Sequence, residues 1–159
     1  MATSLSLREP FSSSGHAAVG IGSKLYVWAG RSTRELEVFD VPSMRWEWPQ
    51  TLHGSNMPAG LRGMAVTTDD LTSYTFGGVT GSSDSYTYHN TLFQIIPSLH
   101  FCQQLEPLSP VGMSPDNTVG SGIVHFKDKL VLFGGFTGQR FTNELYAFDL
   151  PSSECELWY

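Results

Sequence analysis

The sequence predicts an all-β protein built from one unit used three times. Three observations lead there. Glycines close apolar runs at a fixed distance from earlier anchors, in "KLYVWAG" (24–30), "SYTFGG" (73–78) and "KLVLFGG" (129–135). Short runs alternate apolar and polar residues, the period-two pattern of a half-buried strand. No stretch holds apolar residues at i, i+3, i+4 and i+7 over the roughly ten residues a helix needs.

The anchors define the unit. Fifteen residues before Gly30, Gly78 and Gly135 stand Gly15, Gly63 and Gly120, and five before those stand Pro10, Pro58 and Pro115. Such a fixed period marks a repeat architecture. Within each copy four strands follow in order. "HAAVGIG" and "KLYVWA" flank Ser23, which suits a tight hairpin. "ELEVFD" alternates Leu36 and Val38 with Glu35 and Glu37, and "RWEWPQ" alternates with Trp46 and Trp48 on one side. Between these last two lie "VPSM" and, in the third copy, "LPSSE", which carry proline and serine turn chemistry. Length differences concentrate after the glycine pair, where the connection has five, thirteen and nine residues in the three copies. Insertions confined to one place map to loops on one face of an assembly.

With its glycine pair after an aromatic strand, the leucine and aspartate of "ELEVFD" and "ELYAFD", and Trp46 six residues past Asp40, the chain resembles the kelch-repeat family. Gly15-His16 matches that family's blade opening. The resemblance implies three four-stranded antiparallel blades of a β-propeller: a lead-in at 1–9, then blades at about 10–57, 58–114 and 115–159. The structural repeat residues are then Gly30, Gly77, Gly78, Gly134, Gly135, Trp46, Asp40 and Asp149. Departures are Ala29 for one glycine, Ile96 for the aspartate of the second copy, and Cys102 and Cys155 where Trp46 stands.

Glycine inside a strand implies a bend or the close approach of another group. Trp46 is the expected occupant of the space the glycines leave. A phosphate cradle would instead need a following helix, and none is predicted. Three blades make an incomplete propeller, since closed ones hold about 4–8. The arc is expected to expose two blade faces, with Val27, Trp28, Trp46, Leu132 and Phe133 among their residues. Either the chain is part of a longer propeller, the favoured reading, or two copies self-associate through those faces into a six-blade ring.

The net charge of −6 and nine scattered basic residues argue against nucleic acid, which calls for a Lys/Arg-rich stripe. Arg31, Arg34 and Arg140 fall in the variable loops and Arg45 outside them, and all read first as solvated charge. No run approaches the roughly 18 apolar residues of a membrane span, and the N-terminus lacks a secretory pattern. A soluble, cytoplasmic protein with Met1 as its native start is expected.

Cys102 and Cys155 occupy equivalent positions in neighbouring blades and are expected to be free, buried thiols. Stacked sheets stand about 10 Å apart, beyond the roughly 7 Å limit between Cα atoms for a disulfide. No metal-ligand spacing, nucleophile elbow or Walker loop is present. No cofactor and no catalytic residue is therefore assigned. The alternative is a fragment of a propeller enzyme similar to the copper-containing galactose oxidase, although His16, His53, His89, His100 and His125 share no spacing. The favoured function is a non-catalytic scaffold for a polypeptide partner, since kelch propellers mostly act as protein-recognition platforms. Some serve as adaptors or as ubiquitin-ligase substrate receptors. Long loops on rigid scaffolds tend to carry function. The expected contacts are Asp84, Tyr86, Tyr88 and His89 in "VTGSSDSYTYHNT", and Phe136, Arg140 and Phe141 in "FTGQRFTN". Aromatic side chains and arginine dominate interface hot spots.

Overall fold

The computed structural model describes residues 9–30, 34–82, 84–106 and 114–159. All but Glu9 of the expected lead-in, and the loop residue Arg31, lie outside the described residues. The described chain is all-β apart from one 3₁₀ turn at Pro97–Leu99.

The first sheet runs β1 (Ala17–Ile21), β2 (Lys24–Trp28), β3 (Glu35–Asp40) and β4 (Arg45–Trp46), with β5 (Gln50–Thr51) also pairing β3. Next come β6 (His53–Gly54), β7 (Ala65–Thr68) and β8 (Ser73–Phe76). A separate hairpin of β9 (Val79–Ser82) and β10 (Ser85–Tyr88) precedes β11 (Leu92–Ile96) and β12 (Phe101–Leu105). The second sheet has the order β6-β12-β11-β8-β7. The third is β13 (Gly122–Phe126), β14 (Lys129–Phe136), β15 (Phe141–Asp149) and β16 (Cys155–Leu157). Each copy thus supplies the four antiparallel strands its pattern requires, and β5 and β6 are additions. His53–Gly54, carried in sequence by the first copy, joins the second sheet parallel to β12. The connection 79–91, read as a loop, largely folds as a hairpin. The fourth strand of copy one is shorter than its alternation suggests: β4 ends at Trp46, and Trp48 is exposed.

Local chemistry explains the strand ends. Ile21 pairs with Lys24 across the two-residue turn Gly22-Ser23, where Gly22 has φ +61°. Asp40 caps the next turn by accepting from the Ser43 amide (3.0 Å) and hydroxyl (2.5 Å). Asp149 repeats this with Ser152, at 2.9 Å for both donors, and adds Lys129 Nζ at 2.9 Å. These bonds favour the ionised carboxylates: the Ser43 bonds hold Asp40 below its usual range, and Lys129 first, then Ser152, holds Asp149 down to about 2. In the second copy Ile96 replaces the aspartate, and the Pro97–Leu99 turn, closed by His100 N–H to Pro97 C=O at 3.1 Å, connects the strands instead.

Because side chains alternate across a strand, each sheet has two faces, and the sheets stack through them. One core joins Ala17, Val19, Tyr26, Trp28, Leu36 and Val38 of the first blade to Phe93, Ile95 and Cys102 of the second. The other joins Ala65, Tyr74, Phe76 and Leu92 of the second blade to Leu130, Leu132, Tyr146, Phe148 and Cys155 of the third. Trp28 and Leu132, expected on open faces, are thus buried in the junctions. Val27 and Trp46 are half-buried on the face of blade one turned from blade two, and Phe133 is exposed on the outer face of blade three.

Backbone hydrogen bonds tie the blades together with the same bond at both junctions. Gly63 N–H donates to Gly15 C=O and Gly120 N–H to Gly63 C=O, both at 2.9 Å. A second bond also repeats, from Gly30 N–H to Leu61 C=O (2.8 Å) and from Gly78 N–H to Thr118 C=O (2.7 Å). This accounts for the closing glycines. Gly77 and Gly78 have φ of +70° and +100°, in the left-handed region that favours glycine. A Cβ on Gly77 would lie 2.4 Å from Thr118 O of the next blade, and one on Gly30 would lie 2.6 Å from Ser14 O. Neighbouring backbone fills that space, so the expectation for Trp46 is corrected: its ring packs on Phe39, with centroids 5.2 Å apart.

Candidate partner-binding surface

The two longer connections after the glycine pairs carry the expected contact residues. In copy two the hairpin turns back tightly at Gly81, whose φ is +95° and where a Cβ would lie 2.1 Å from Ser85 O. Any larger residue would break that approach. Tyr86 pairs with Gly81 and Tyr88 with Val79, so the two tyrosines share one face of the ribbon. Asp84 is exposed at its tip.

Arg62 fastens the hairpin to the blade. Its backbone exchanges both hydrogen bonds with Val79 (3.0 and 2.9 Å), Nη2 donates to Gly81 C=O at 2.6 Å, and the guanidinium lies 5.9 Å from the Tyr86 ring centroid. A cation over an aromatic face contributes about 0.5–1 kcal/mol at an exposed site. Arg62 was not among the residues the sequence reading selected. It directly precedes the anchor Gly63, where the other copies have Ser14 and Val119, and that departure was its signal.

His89 stands at the base of the ribbon. It is half-buried, its Nε2 lies 2.9 Å from Thr80 Oγ1 across the hairpin, and burial lowers its pKa. It holds the base of the ribbon as a neutral ring.

Tyr88 crosses to the third blade. Its ring meets Phe136 edge-on (6.1 Å, 72°), and Phe136 packs on Phe141 (5.0 Å, 46°). Gly138 makes room, since a Cβ there would lie 2.7 Å from Tyr88 Cε2. The turn between the phenylalanines is closed by Thr137 N–H to Arg140 C=O at 3.0 Å, while Thr137 Oγ1 accepts from Arg140 N–H at 3.2 Å. Arg140 Nη2 reaches Asp116 (3.5 Å) and Glu144 (3.4 Å). Such exposed pairs contribute under about 1 kcal/mol and serve mainly to orient the guanidinium. Tyr146 O–H donates to Glu144 Oε2 at 3.0 Å, and burial followed by that carboxylate pushes its pKa up to about 12.

The fold therefore joins Tyr88, Phe136, Phe141 and Arg140, from two copies, into one patch. Tyr86 and Asp84 stand with Arg62 on the adjoining ribbon. Phe141 is 83 % exposed, at the crest of the aromatic cluster.

Cys102 and Cys155 are buried thiols that form no disulfide, as the repeat implied, and burial pushes the Cys102 thiol up to about 11 and the Cys155 thiol upward. Since the thiolate is the reactive form, both are poor nucleophiles near neutral pH. Among the described residues no three His, Cys, Asp or Glu side chains gather as a metal site, and no helix is long and apolar enough to cross a membrane.

A family model of the KLHDC2/KLHL20/DRC7 Kelch-repeats domain matches residues 4–154. Two relatives are each named Kelch domain-containing protein 2. The one from Homo sapiens is 25% identical over 146 residues, covering 84% of this chain and 35% of that protein. The one from Rattus norvegicus is 24% identical over 140 residues, covering 80% and 33%. The chain spans about a third of the length of these curated relatives.

Proposed function

The chain belongs to the Kelch-repeat family, whose members generally act as protein-interaction modules, and from that premise we propose that it is a non-catalytic recognition scaffold for a polypeptide. The observation that carries this reading is the patch of Tyr88, Phe136, Phe141 and Arg140, with Tyr86 and Arg62 beside it. Aromatic rings offer large contact area at low entropic cost, and arginine offers charged donors. Two rigid blades hold these groups, so little ordering entropy opposes binding. A partner docked there would meet the hairpin and the blade-three turn together. An adaptor or ubiquitin-ligase substrate receptor would use the same surface, joined to a second module that engages its machinery.

Selection from a displayed random-peptide library on the purified chain tests this. Enriched peptides are expected to lose at least about tenfold in affinity, or 1.4 kcal/mol, on Phe141→Ala or Arg140→Ala. They should keep their affinity for Trp48→Ala, which alters an exposed residue outside the patch. Peptides that bind all three variants equally would place recognition elsewhere.

A further inference from the structure

We propose that the open edge of β10 is a docking strand, and that an extended segment of a polypeptide partner joins the hairpin there as its third strand. The partner is that of the proposed recognition function, on which this rests, and what is added is the backbone form in which it binds.

The two edges of the hairpin differ in what their backbone groups meet. The strands pair Ser82 with Ser85, Gly81 with Tyr86, Thr80 with Thr87 and Val79 with Tyr88, and His89 N–H donates to Gly78 C=O at 2.9 Å. Antiparallel pairs alternate between hydrogen-bonded and non-hydrogen-bonded positions. Thr87 therefore turns its amide and carbonyl towards β9, as His89 does, and Tyr86 and Tyr88 turn theirs outwards. On β9 the outward groups belong to Val79 and Gly81, and Arg62 meets them: its backbone exchanges both bonds with Val79, and Nη2 donates to Gly81 C=O. On β10 the amides and carbonyls of Tyr86 and Tyr88 meet no hydrogen-bond partner among the described residues.

Proteins block a bare edge with lysine, proline, a bulge or a covering segment, because unpaired ladder groups recruit another chain. β10 (Ser85–Tyr88) has no lysine, no proline and no register shift. Its tyrosines and threonine are strong strand formers. The hairpin belongs to the middle copy, whereas further repeats of a longer chain stack on the outer faces of copies one and three.

Backbone pairing along an edge, with alternate side chains read by their surroundings, is a recurring mode of peptide recognition. The two sides of an added strand here meet different chemistry. Tyr86 and Tyr88 share one face, and Tyr88 continues through Phe136 to the exposed Phe141. Ser85 and Thr87 are exposed and alternate to the other face. The fitting segment is apolar or aromatic at every second residue, small or hydroxyl-bearing between, and free of proline where its N–H meets β10. The net charge of −6 opposes a second copy in that place and favours a segment of basic character.

Peptides enriched from the displayed library, bound to the purified full chain, test this. Amide hydrogen exchange is expected to be fast at Tyr86 and Tyr88 in the free chain and at least about tenfold slower with peptide at saturation. Methylating the peptide's backbone nitrogens one at a time should weaken binding at least about tenfold at alternate residues and little between them, since only every second N–H faces β10. Tyr86→Pro, which removes an outward N–H, should weaken binding more than Tyr86→Ala, which removes the same ring and keeps that donor. Slow exchange at both amides in the free monomer, or in a species of twice the chain mass, places the chain itself or a second copy on the edge and overturns the proposal. Peptides that lose affinity with Phe141→Ala or Arg140→Ala, yet leave both amides fast or show no alternation, overturn it while the recognition reading stands. A library that yields no binder overturns both. If Tyr86→Pro does not fold, exchange and the methylation series on the wild type decide.

Discussion

The two blade junctions and the two open faces of the arc are made of equivalent residues in opposite circumstances. Phe76 and Phe133 both close an apolar run and both precede two glycines of positive φ. One is sealed by blade three, and the other stands on an outer face. Cys102 and Trp46 make the same contrast on the other side of the blade. A blade is thus an unfinished object whose apolar faces become core only when another blade arrives, as expected of repeat architectures. Core and surface are here properties of position in the stack rather than of residue type.

The largest expected effects test that contrast directly. Phe76→Ala should cost about 3–5 kcal/mol, the usual range for an aromatic removed from a core, measured by denaturant unfolding. Phe133→Ala should cost under about 0.5 kcal/mol, as surface changes do. Equal costs in dilute solution would erase the distinction between junction and open face.

The closing glycines sharpen it at the backbone. Gly78→Ala would place a Cβ 3.0 Å from Arg62 O and Leu61 Cδ1 at φ +100°, and should cost about 1–3 kcal/mol, the range for strained backbone. Ala29, the counterpart of its neighbour Gly77, already carries φ +60° where the other copies have glycine. Ala29→Gly removes about 1–2 kcal/mol of left-handed strain against about 0.4–1 kcal/mol of added unfolded-state entropy. A small net stabilisation should appear as a raised melting temperature. A loss would show that the Ala29 methyl packs productively.

Within the closed junction, Thr75 Oγ1 is buried with no hydrogen-bond partner among the described residues. Thr75→Val should stabilise by about 1 kcal/mol, the low end of the penalty for an unsatisfied polar group. Destabilisation in the same unfolding assay would reveal a partner for the hydroxyl.

The smallest effect is electrostatic. Burial depresses the pKa of His89 in the folded state, so the unfolded chain binds the proton more readily. The contribution of neutral His89 is complete above its ordinary value of 6.5 and is lost as pH falls from there through the lowered folded value. His89→Gln should flatten the stability profile in that window, and an unchanged slope would assign the dependence to other groups.

Much of the fold was legible in the residues. Period-two alternation with serine, glycine and proline turns identified the strands, because pleating and turn geometry are local. The spacing of Gly15, Gly63 and Gly120 from Gly30, Gly78 and Gly135 gave the repeat. Fixed spacing could not say why those glycines matter. Their neighbours Ser14 and Thr118 come from segments distant in sequence, which is why Trp46 was given the wrong place. Nor could alternation distinguish Trp28 and Leu132, which turn into junctions, from Phe133, which does not. At the proposed recognition surface the residue types pointed to Tyr88, Phe136, Arg140 and Phe141, but their convergence depends on two blades standing side by side. Arg62 was missed because its role comes from reaching Gly81 and Tyr86, nineteen and twenty-four residues away.

By itself, then, the sequence determined the all-β class, the threefold unit, the turns and the family, each written in backbone preferences and near-neighbour chemistry. Only the tertiary structure decided which faces are sealed, what the glycines admit and which loops form one surface. Those outcomes depend on side chains and carbonyls brought together from separate copies, and no local pattern encodes that meeting.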